Sequence, residues 1–248
     1  TSVGALVSSR ASLVNEANKE KILDSHTSTS TTRRLRGTDE GLGEAPIPTN
    51  SAKSSKSRAF KAVEIFAGCC RLTKELNRRG FKATGIDWKS NRSKTPEGPC
   101  VSVDLNTKGG VKVVWDIIDD SDYTHMAPPC GTATLAREKP IPEHLKQQGA
   151  PEPKPLRSAE YPAGIPGLVG LDKVRVEKAN ELYELCALIV LWCHACGRAW
   201  SLENPTNSRF WEYPAIRRAL ELVNAYFSVF HHFMHGGARD TVSYTHLR

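Results

Sequence analysis

The chain has 248 residues, 39% of them hydrophobic, so it is long enough to bury one sizeable core. No apolar run approaches the length of a membrane span and no signal peptide is recognisable, so we expect no membrane partner. The formal net charge of +7 permits an anionic partner, most commonly nucleic acid, although an ordinary basic protein fits equally well. Seven cysteines without the spacing of a disulfide framework predict a reducing, intracellular compartment.

Residues 1–58 have the composition of a disordered tail. A serine and threonine run at 25–32 is followed by a basic cluster and then by residues rich in Gly, Pro, Ser and Lys, which offer little to bury. The chain begins with Thr1 rather than Met, and residues 241–248 look like a translated sequencing adapter. We therefore predict a truncated chain with a non-native end and a single folded domain over residues 59–240.

Strand and helix patterns alternate from Phe60 onward. The run 62–67 predicts a first strand that stops at Gly68, and Leu72 and Leu76 then recur at helical spacing. Further strands are predicted at 81–87, 101–105, 123–126, 199–202 and 226–233, and further helices at 111–118, 174–196 and 210–223. This alternation predicts an α/β fold with a Rossmann-like sheet and helices on both faces, incomplete at the C-terminus.

Candidate ligand-binding residues stand at the ends of three successive strands. The turn after the first strand consists of Phe66, Ala67, Gly68 and Cys69. Because ligands bind beyond the carboxyl ends of strands in doubly wound folds, this turn is expected to form a pocket floor, where Gly68 lets the backbone approach a ligand.

The next two strand ends favour an adenosine-bearing ligand. Asp87 can accept both hydroxyls of a ribose, Trp88 offers a flat face to an adenine ring, and Asp104 can accept a hydrogen bond from its amino group. Taken singly, each of these residues is better explained as a surface carboxylate or a core aromatic, so the prediction depends on their succession at three strand ends. The first turn lacks the full G-x-G-x-x-G fingerprint, which disfavours a dinucleotide and favours S-adenosylmethionine.

The fourth predicted strand leads into Pro128-Pro129-Cys130. The two prolines stiffen the backbone directly before the cysteine and donate no hydrogen bonds. A cysteine thiolate is a strong nucleophile at neutral pH when its pKa is lowered or a positive group is close, whereas a lone cysteine is more often a small buried hydrophobe. The position at a strand end, facing the predicted pocket, favours a nucleophilic role for Cys130.

In this order, these motifs resemble those of the cytosine-5 DNA methyltransferases. The resemblance spans roughly residues 63–239 and includes the turn 66–69, Asp87-Trp88, Asp104, Pro128-Pro129-Cys130 and Glu203-Asn204. Cys130–Ala133, Leu156-Arg157-Ser158 and Asn207–Trp211 are similar to a divergent methyltransferase-like group of the dinoflagellate and retroelement type. The resemblance implies a Rossmann-like sheet, S-adenosylmethionine as methyl donor and a flipped cytosine as acceptor.

The resemblance also implies a covalent mechanism. The Cys130 thiolate adds to carbon 6 of cytosine, carbon 5 takes the methyl group, and loss of the carbon 5 proton expels the cysteine. Glu203 acts on the ring nitrogen and amino group as a general acid, an effect worth about 10²–10⁴ in rate. The resemblance also implies that Asn204 is catalytic together with Glu203 and that Pro128 binds the methyl donor. The target base must leave the stack, at a cost of about a few kcal/mol.

The proline-rich segment 131–171 corresponds to the region that closes over DNA in the family. The basic side chains expected to neutralise phosphates are Arg137, Lys139, Lys146, Lys154 and Arg157, with Arg239 standing near a later family motif. As an alternative, this segment is simply a floppy loop. Gly131 and Pro205 depart from the family pattern, which usually has glutamine and valine at these places.

Other functions stay open on the sequence alone. A noncatalytic nucleic-acid-binding remnant within a retroelement polyprotein would keep the fold without turnover, and an RNA substrate fits equally well because nothing reads the sugar. Amino-group methyltransferases typically have an aromatic residue in place of Cys130, which disfavours that class. Cys193 and Cys196 have zinc-ligand spacing, but they lack a second pair and continue an apolar helix, so no metal is expected. We expect a monomeric, nuclear domain.

Overall fold

The computed structural model describes residues 58–88, 95–150, 152–231 and 242–247, with only the backbone described for 230, 231 and 242–247. Nearly all of the predicted tail and Arg239 therefore lie outside the described residues. The strands are β1 (Lys61–Ile65), β2 (Lys82–Asp87), β3 (Cys100–Ser102), β4 (Tyr123–Met126), β5 (Ala199–Pro205), β6 (Tyr226–His231) and β7 (Val242–Leu247). The helices are α1 (Arg71–Arg78), α2 (Lys108–Ile118), α3 (Glu143–Gln147), α4 (Gly170–Ala195) and α5 (Pro214–Leu222), with 3-10 helices at Leu135–Glu138 and Arg209–Glu212.

The seven described strands form one sheet in the order β3-β2-β1-β4-β5-β7-β6. The first five strands of that order are parallel to their neighbours, whereas β7 is antiparallel to both β5 and β6. The chain builds from β1 outward to β3 and then crosses to β4 on the other side of β1. A crevice therefore opens beyond the carboxyl ends of β1 and β4, the place where ligands bind in doubly wound folds.

One face of the sheet carries the hydrophobic core. Alternate strand residues point to this face and pack against α2 and α4; they include Val63, Ile65, Ile86, Met126 and Leu202. α2 presents buried side chains at helical spacing, namely Val111, Val114, Trp115 and Ile118. The rings of Trp115 and Trp192 meet edge to face, with centroids 6.2 Å apart, and so join α2 to α4.

The opposite face is covered over β1 and β2 by α1. The carboxylate of Glu64 accepts hydrogen bonds from the backbone N–H (2.7 Å) and the hydroxyl (2.5 Å) of Thr73, which fixes α1 on the sheet. Burial raises the pKa of Glu64 although both hydrogen bonds act to lower it. α1 packs closely because Gly85 has no side chain: a Cβ there would lie 2.6 Å from Cys70 Sγ.

The predicted elements differ from the observed ones mainly outside the parallel strands. α4 begins at Gly170 rather than at 174, and the segment 131–171 contains a 3-10 helix and α3 instead of being only loop. The helix predicted at 210–223 is a 3-10 helix followed by α5, because Pro214 starts a new helix at its first position. The pattern did not predict β7, which lies within the residues interpreted as non-native.

Candidate active site

The turn between β1 and α1 has an unusual backbone. Phe66, Gly68 and Cys70 all have left-handed φ angles, of 63°, 56° and 58°. Only glycine adopts this conformation without cost, so the two non-glycine residues mark a constrained turn of the kind that holds ligands. The backbone N–H of Gly68 donates to a carboxylate oxygen of Asp87, and the N–H of Ala67 donates to Ile86 O at 3.1 Å. The turn is therefore tied to the end of β2.

Asp87 and Trp88 follow directly at the end of β2. The second carboxylate oxygen of Asp87 accepts a hydrogen bond from the backbone N–H of Trp88 at 2.5 Å. The Trp88 side chain is 51% exposed, which leaves the indole face accessible at the edge of the crevice. The hydrogen bonds from Gly68 and Trp88 fix the carboxylate of Asp87, the acid that was predicted to face an adenosine.

A cavity of about 490 Å³ opens at this crevice. Four of the predicted residues line it together: Phe66, Asp87, Trp88 and Asp104. Pro129 lines the cavity, whereas Pro128, which was predicted to bind the cofactor, is buried. Ala67 is also buried, and Gly68 and Cys69 are half-buried within the turn. The structure thus brings residues from the three strand ends to one cavity.

Sequence reasoning missed five residues of the cavity wall. They are Leu105, Asn106, Ala127, Lys178 and Leu182. The Asn106 side chain donates to Lys178 O at 2.9 Å and so joins the end of β3 to α4. Asn106 and Ala127 directly follow strand-end motifs, so their position was a usable signal. Lys178 and Leu182 on α4 carry no such signal, because hydrophobic periodicity predicts which face of a helix is buried but not which element that face packs against.

The Cys130 turn is held from both sides of the crevice. Pro128 O accepts a hydrogen bond from Asn204 Nδ2 at 3.0 Å, and Pro129 O accepts one from the Tyr183 hydroxyl at 3.0 Å. The carbonyl of Cys130 accepts from two backbone N–H groups, of Ala133 (2.8 Å) and Thr134 (2.9 Å). Asn204, which was predicted as catalytic, has a fully buried side chain, and β5 directs it beneath Pro128, where it supports the turn.

Cys130 and Glu203 influence each other electrostatically. Burial raises the pKa of the Cys130 thiol, and the nearby Glu203 carboxylate raises it further. Glu203 is half-buried near the carboxyl end of β5, the strand beside β4. The predicted nucleophile and the predicted acid therefore lie close enough for the charge of Glu203 to act on the thiol.

The prediction that Arg157 contacts phosphates is wrong. Arg157 is only 2% exposed, so it cannot reach a surface ligand. Its guanidinium donates to Thr132 Oγ1 (3.1 Å), Pro162 O (2.6 Å) and Asn180 Oδ1 (2.8 Å), and it lies 5.0 Å from the centroid of the Tyr183 ring. Burial of a charged side chain requires this number of partners, and here they join the segment after Cys130 to α4.

The other basic residues of the segment differ in exposure. Arg137 is half-buried and donates to the carbonyls of Lys154 (2.9 Å) and Gly131 (3.4 Å), so it braces the segment from within. Lys139 is exposed and keeps the position predicted for a phosphate contact. Glu138 and Glu152 lie in the same surface groove as these two residues, which reduces its positive charge.

No family model matches the chain, and no curated protein matches it by sequence. Among solved structures it is similar to a SAM-dependent methyltransferase from Archaeoglobus fulgidus, with 9% identity over 77% of this chain and 87% of that one and a TM-score of 0.37. Magnesium protoporphyrin IX methyltransferase (ChlM) from Synechocystis PCC 6803, solved with bound SAM, is 12% identical over 77% of this chain and 70% of that one, with a TM-score of 0.35. A SAM-dependent methyltransferase from Anabaena variabilis ATCC 29413 is 12% identical over 76% of each chain, with a TM-score of 0.36.

The strand order itself decides the fold class. Five parallel strands continued by an antiparallel β7 between β5 and β6, with helices on both faces, confirm the predicted Rossmann-like sheet of the class I methyltransferase type. None of the helices in the described part of the chain has the length and apolar character that a bilayer crossing requires.

Proposed function

We propose that the chain is an S-adenosylmethionine-dependent methyltransferase that acts on carbon 5 of cytosine in DNA through Cys130. The observation that carries this proposal is the cavity lined by Phe66, Asp87, Trp88 and Asp104, because Pro129, the residue directly before Cys130, lines it as well. A donor site and a nucleophile are thus adjacent, which is the minimum that a covalent methyl transfer needs.

The residues of the cavity fit S-adenosylmethionine. Its volume of about 490 Å³ lies within the roughly 300–1,000 Å³ of small-molecule sites. Asp87 would accept hydrogen bonds from the ribose hydroxyls, and Asp104 would accept one from the adenine amino group. Trp88 would stack on the adenine ring. When bound, S-adenosylmethionine supplies an electrophilic methyl group. Phe66 and the left-handed turn would position the methionine end of the donor toward Pro129.

The chemistry falls to Cys130 and Glu203. The Cys130 sulfur forms a bond to carbon 6 of cytosine, and Glu203 protonates or hydrogen-bonds the ring nitrogen as electron density moves onto the ring. Carbon 5 would take the methyl group from a donor bound in the cavity. Loss of the carbon 5 proton to water would then restore the double bond between carbons 5 and 6 and break the bond from carbon 6 to sulfur, which returns Cys130 as a thiolate. Burial and Glu203 both raise the pKa of the thiol, so Cys130 would pass its proton to the Glu203 carboxylate as the cytosine binds, and Glu203 would donate that proton to the ring nitrogen. Excluding water around these groups strengthens their interactions.

The test is methyl transfer from labelled S-adenosylmethionine to DNA, with the product base identified by mass spectrometry. Cys130→Ser should abolish 5-methylcytosine formation, because a hydroxyl is a far weaker nucleophile than a thiolate. The matched control is Cys196→Ser, an exposed cysteine at the end of α4, which should leave the rate unchanged. Unchanged transfer by Cys130→Ser would exclude the covalent route. An RNA oligonucleotide methylated in preference to DNA would reassign the substrate, and DNA binding without any transfer would favour a noncatalytic module.

A further inference from the structure

The Pro128-Pro129-Cys130 turn depends on side chains from distant parts of the chain. Proline has no N–H, so neither proline can donate a hydrogen bond to a neighbouring strand, and the orientation of the turn must be set through its carbonyl groups. Asn204 from β5 holds Pro128 O, and Tyr183 from α4 holds Pro129 O, each at 3.0 Å. Pro129 O belongs to the peptide unit that ends at the Cys130 nitrogen, so Tyr183 acts immediately beside the cysteine.

Tyr183 is itself rigidly placed. The residue is fully buried, and its ring meets those of Phe210 and Tyr213 edge to face, with centroids 4.8 and 5.4 Å away. The Arg157 guanidinium covers the ring at 5.0 Å and donates to Thr132 Oγ1 at 3.1 Å. Tyr183 and Arg157 therefore contact the turn on both sides of Cys130, Tyr183 at Pro129 and Arg157 at Thr132.

We propose that Tyr183, held by Arg157, is a positioning residue that sets the direction of the Cys130 thiol. The inference rests on the proposed nucleophilic role of Cys130. It gives Arg157, which the sequence analysis expected to bind DNA phosphates, a role in supporting Tyr183. A nucleophile must meet its target within a narrow range of geometry, and a misplacement of about 1 Å can cost about 10²-fold in rate. A hydroxyl that fixes the adjacent peptide controls that geometry without touching the substrate.

The test compares two tyrosines of the same aromatic cluster. Tyr183→Phe removes the hydroxyl on Pro129 O and keeps the ring packing. Tyr213→Phe is the matched control, because its hydroxyl donates to Glu184 Oε1 at 2.9 Å and has no part in the turn. We expect kcat for methyl transfer to fall about tenfold or more in Tyr183→Phe. The KM for S-adenosylmethionine should stay within about twofold, because the hydroxyl supports the turn and not the donor site. Tyr213→Phe should change neither constant.

A second measurement does not need methyl transfer. The rate of Cys130 alkylation by iodoacetamide, followed by peptide mass mapping, should rise about fivefold in Tyr183→Phe, the loosening expected when one hydrogen bond of about 1 kcal/mol is lost. Tyr213→Phe should react like the unmodified protein. If Tyr183→Phe proves unfolded by circular dichroism, Thr132→Val, which removes the contact of the turn with Arg157, takes its place with the same expectation.

The outcomes separate the two proposals. Alkylation and kcat equal to those of the unmodified protein in the variant used would overturn the positioning role. If the unmodified protein transfers no methyl group to DNA or RNA, the proposed function fails, and the alkylation comparison alone decides whether Tyr183 positions Cys130. If Cys130 alkylation is accelerated equally in Tyr183→Phe and Tyr213→Phe, the whole aromatic cluster has loosened, and this result also overturns the proposal.

Discussion

At the scale of single residues, a position at a strand end predicts well which side chains line the cavity, whereas positive charge predicts poorly which side chains lie on the surface. Asp87, Trp88 and Asp104 reach one cavity because parallel strands place their carboxyl ends at the same edge of the sheet. That rule depends on backbone geometry, so a sequence is enough to apply it. Arg157 shows the opposite case. A basic residue in a loop is usually solvated, and only the assembled structure reveals the four acceptors and the ring that bury it.

Asp87 gives the most direct test of the donor site. Asp87→Ala should raise the Kd for S-adenosylmethionine about 10- to 100-fold, since hydrogen bonds to a charged group contribute about 1.5–3 kcal/mol. Loss of the bond from the Gly68 N–H would add to the effect. Isothermal titration calorimetry measures the Kd. Asp116→Ala, which removes an exposed carboxylate paired with Lys112 on α2, is the control and should bind normally. Equal affinities in all three proteins would argue against this cavity as the donor site.

At the scale of elements, hydrophobic periodicity located the helices and parallel strands but not their contacts. α4 was predicted as an apolar helix, and it is one, yet nothing in its period shows that Lys178 and Leu182 face the cavity while Tyr183 reaches Pro129. These contacts depend on where α4 crosses the sheet. The close approach of α1 to β2 could not be predicted from the sequence either, because a glycine within a strand, here Gly85, can mark a bulge, a bend or a close contact.

Gly85 tests that close approach. Gly85→Ala should lower the free energy of unfolding by about 1–3 kcal/mol, the usual cost of overpacking, since its Cβ would lie 2.6 Å from Cys70 Sγ and 3.0 Å from Ala67 Cβ. Urea denaturation measures the change. Gly109→Ala is the matched control: a Cβ on this α2 residue meets nothing within 4 Å, and removing a helical glycine should be neutral or stabilising by up to about 1 kcal/mol. A Gly85→Ala variant as stable as the unmodified protein would mean that α1 can shift freely.

At the scale of the whole molecule, the alternation of strands and helices was sufficient to predict the α/β class, but the sheet has more strands than the motifs suggested. The antiparallel β7 pairs with both β5 and β6, and its residues were interpreted as non-native from their resemblance to an adapter sequence. The strands that pair with β7 are distant from it in the chain, so a single sequence rarely predicts the pairing. The polar row Glu64, His125 and Ser201 across one sheet face was likewise not foreseen.

Glu64 connects this sheet face to the pH dependence of stability. Its pKa is raised in the folded protein, so the folded state binds the proton more tightly than the unfolded chain, and stability is lost as pH rises through the folded pKa. Glu64→Gln keeps an acceptor for Thr73 and does not titrate. Relative to the unmodified protein, its melting temperature should therefore improve as the pH rises above 4.5, the ordinary pKa of a glutamate carboxyl, and stop improving once Glu64 is ionised in the folded protein. A difference that stays constant, or reverses, across this range would show that the folded protein does not raise this pKa.

The two carbonyls of the proline pair have a consequence for how the molecule is made. The groups that orient them come from residues 183 and 204, far along the chain from 128 and 129. A nascent chain that has completed β4 but not yet α4 and β5 holds no such turn, so the sulfur of residue 130 acquires its orientation among the last events of assembly. An unfinished polypeptide therefore displays an ordinary, unoriented thiol, and the oriented thiol exists only after α4 and β5 have docked.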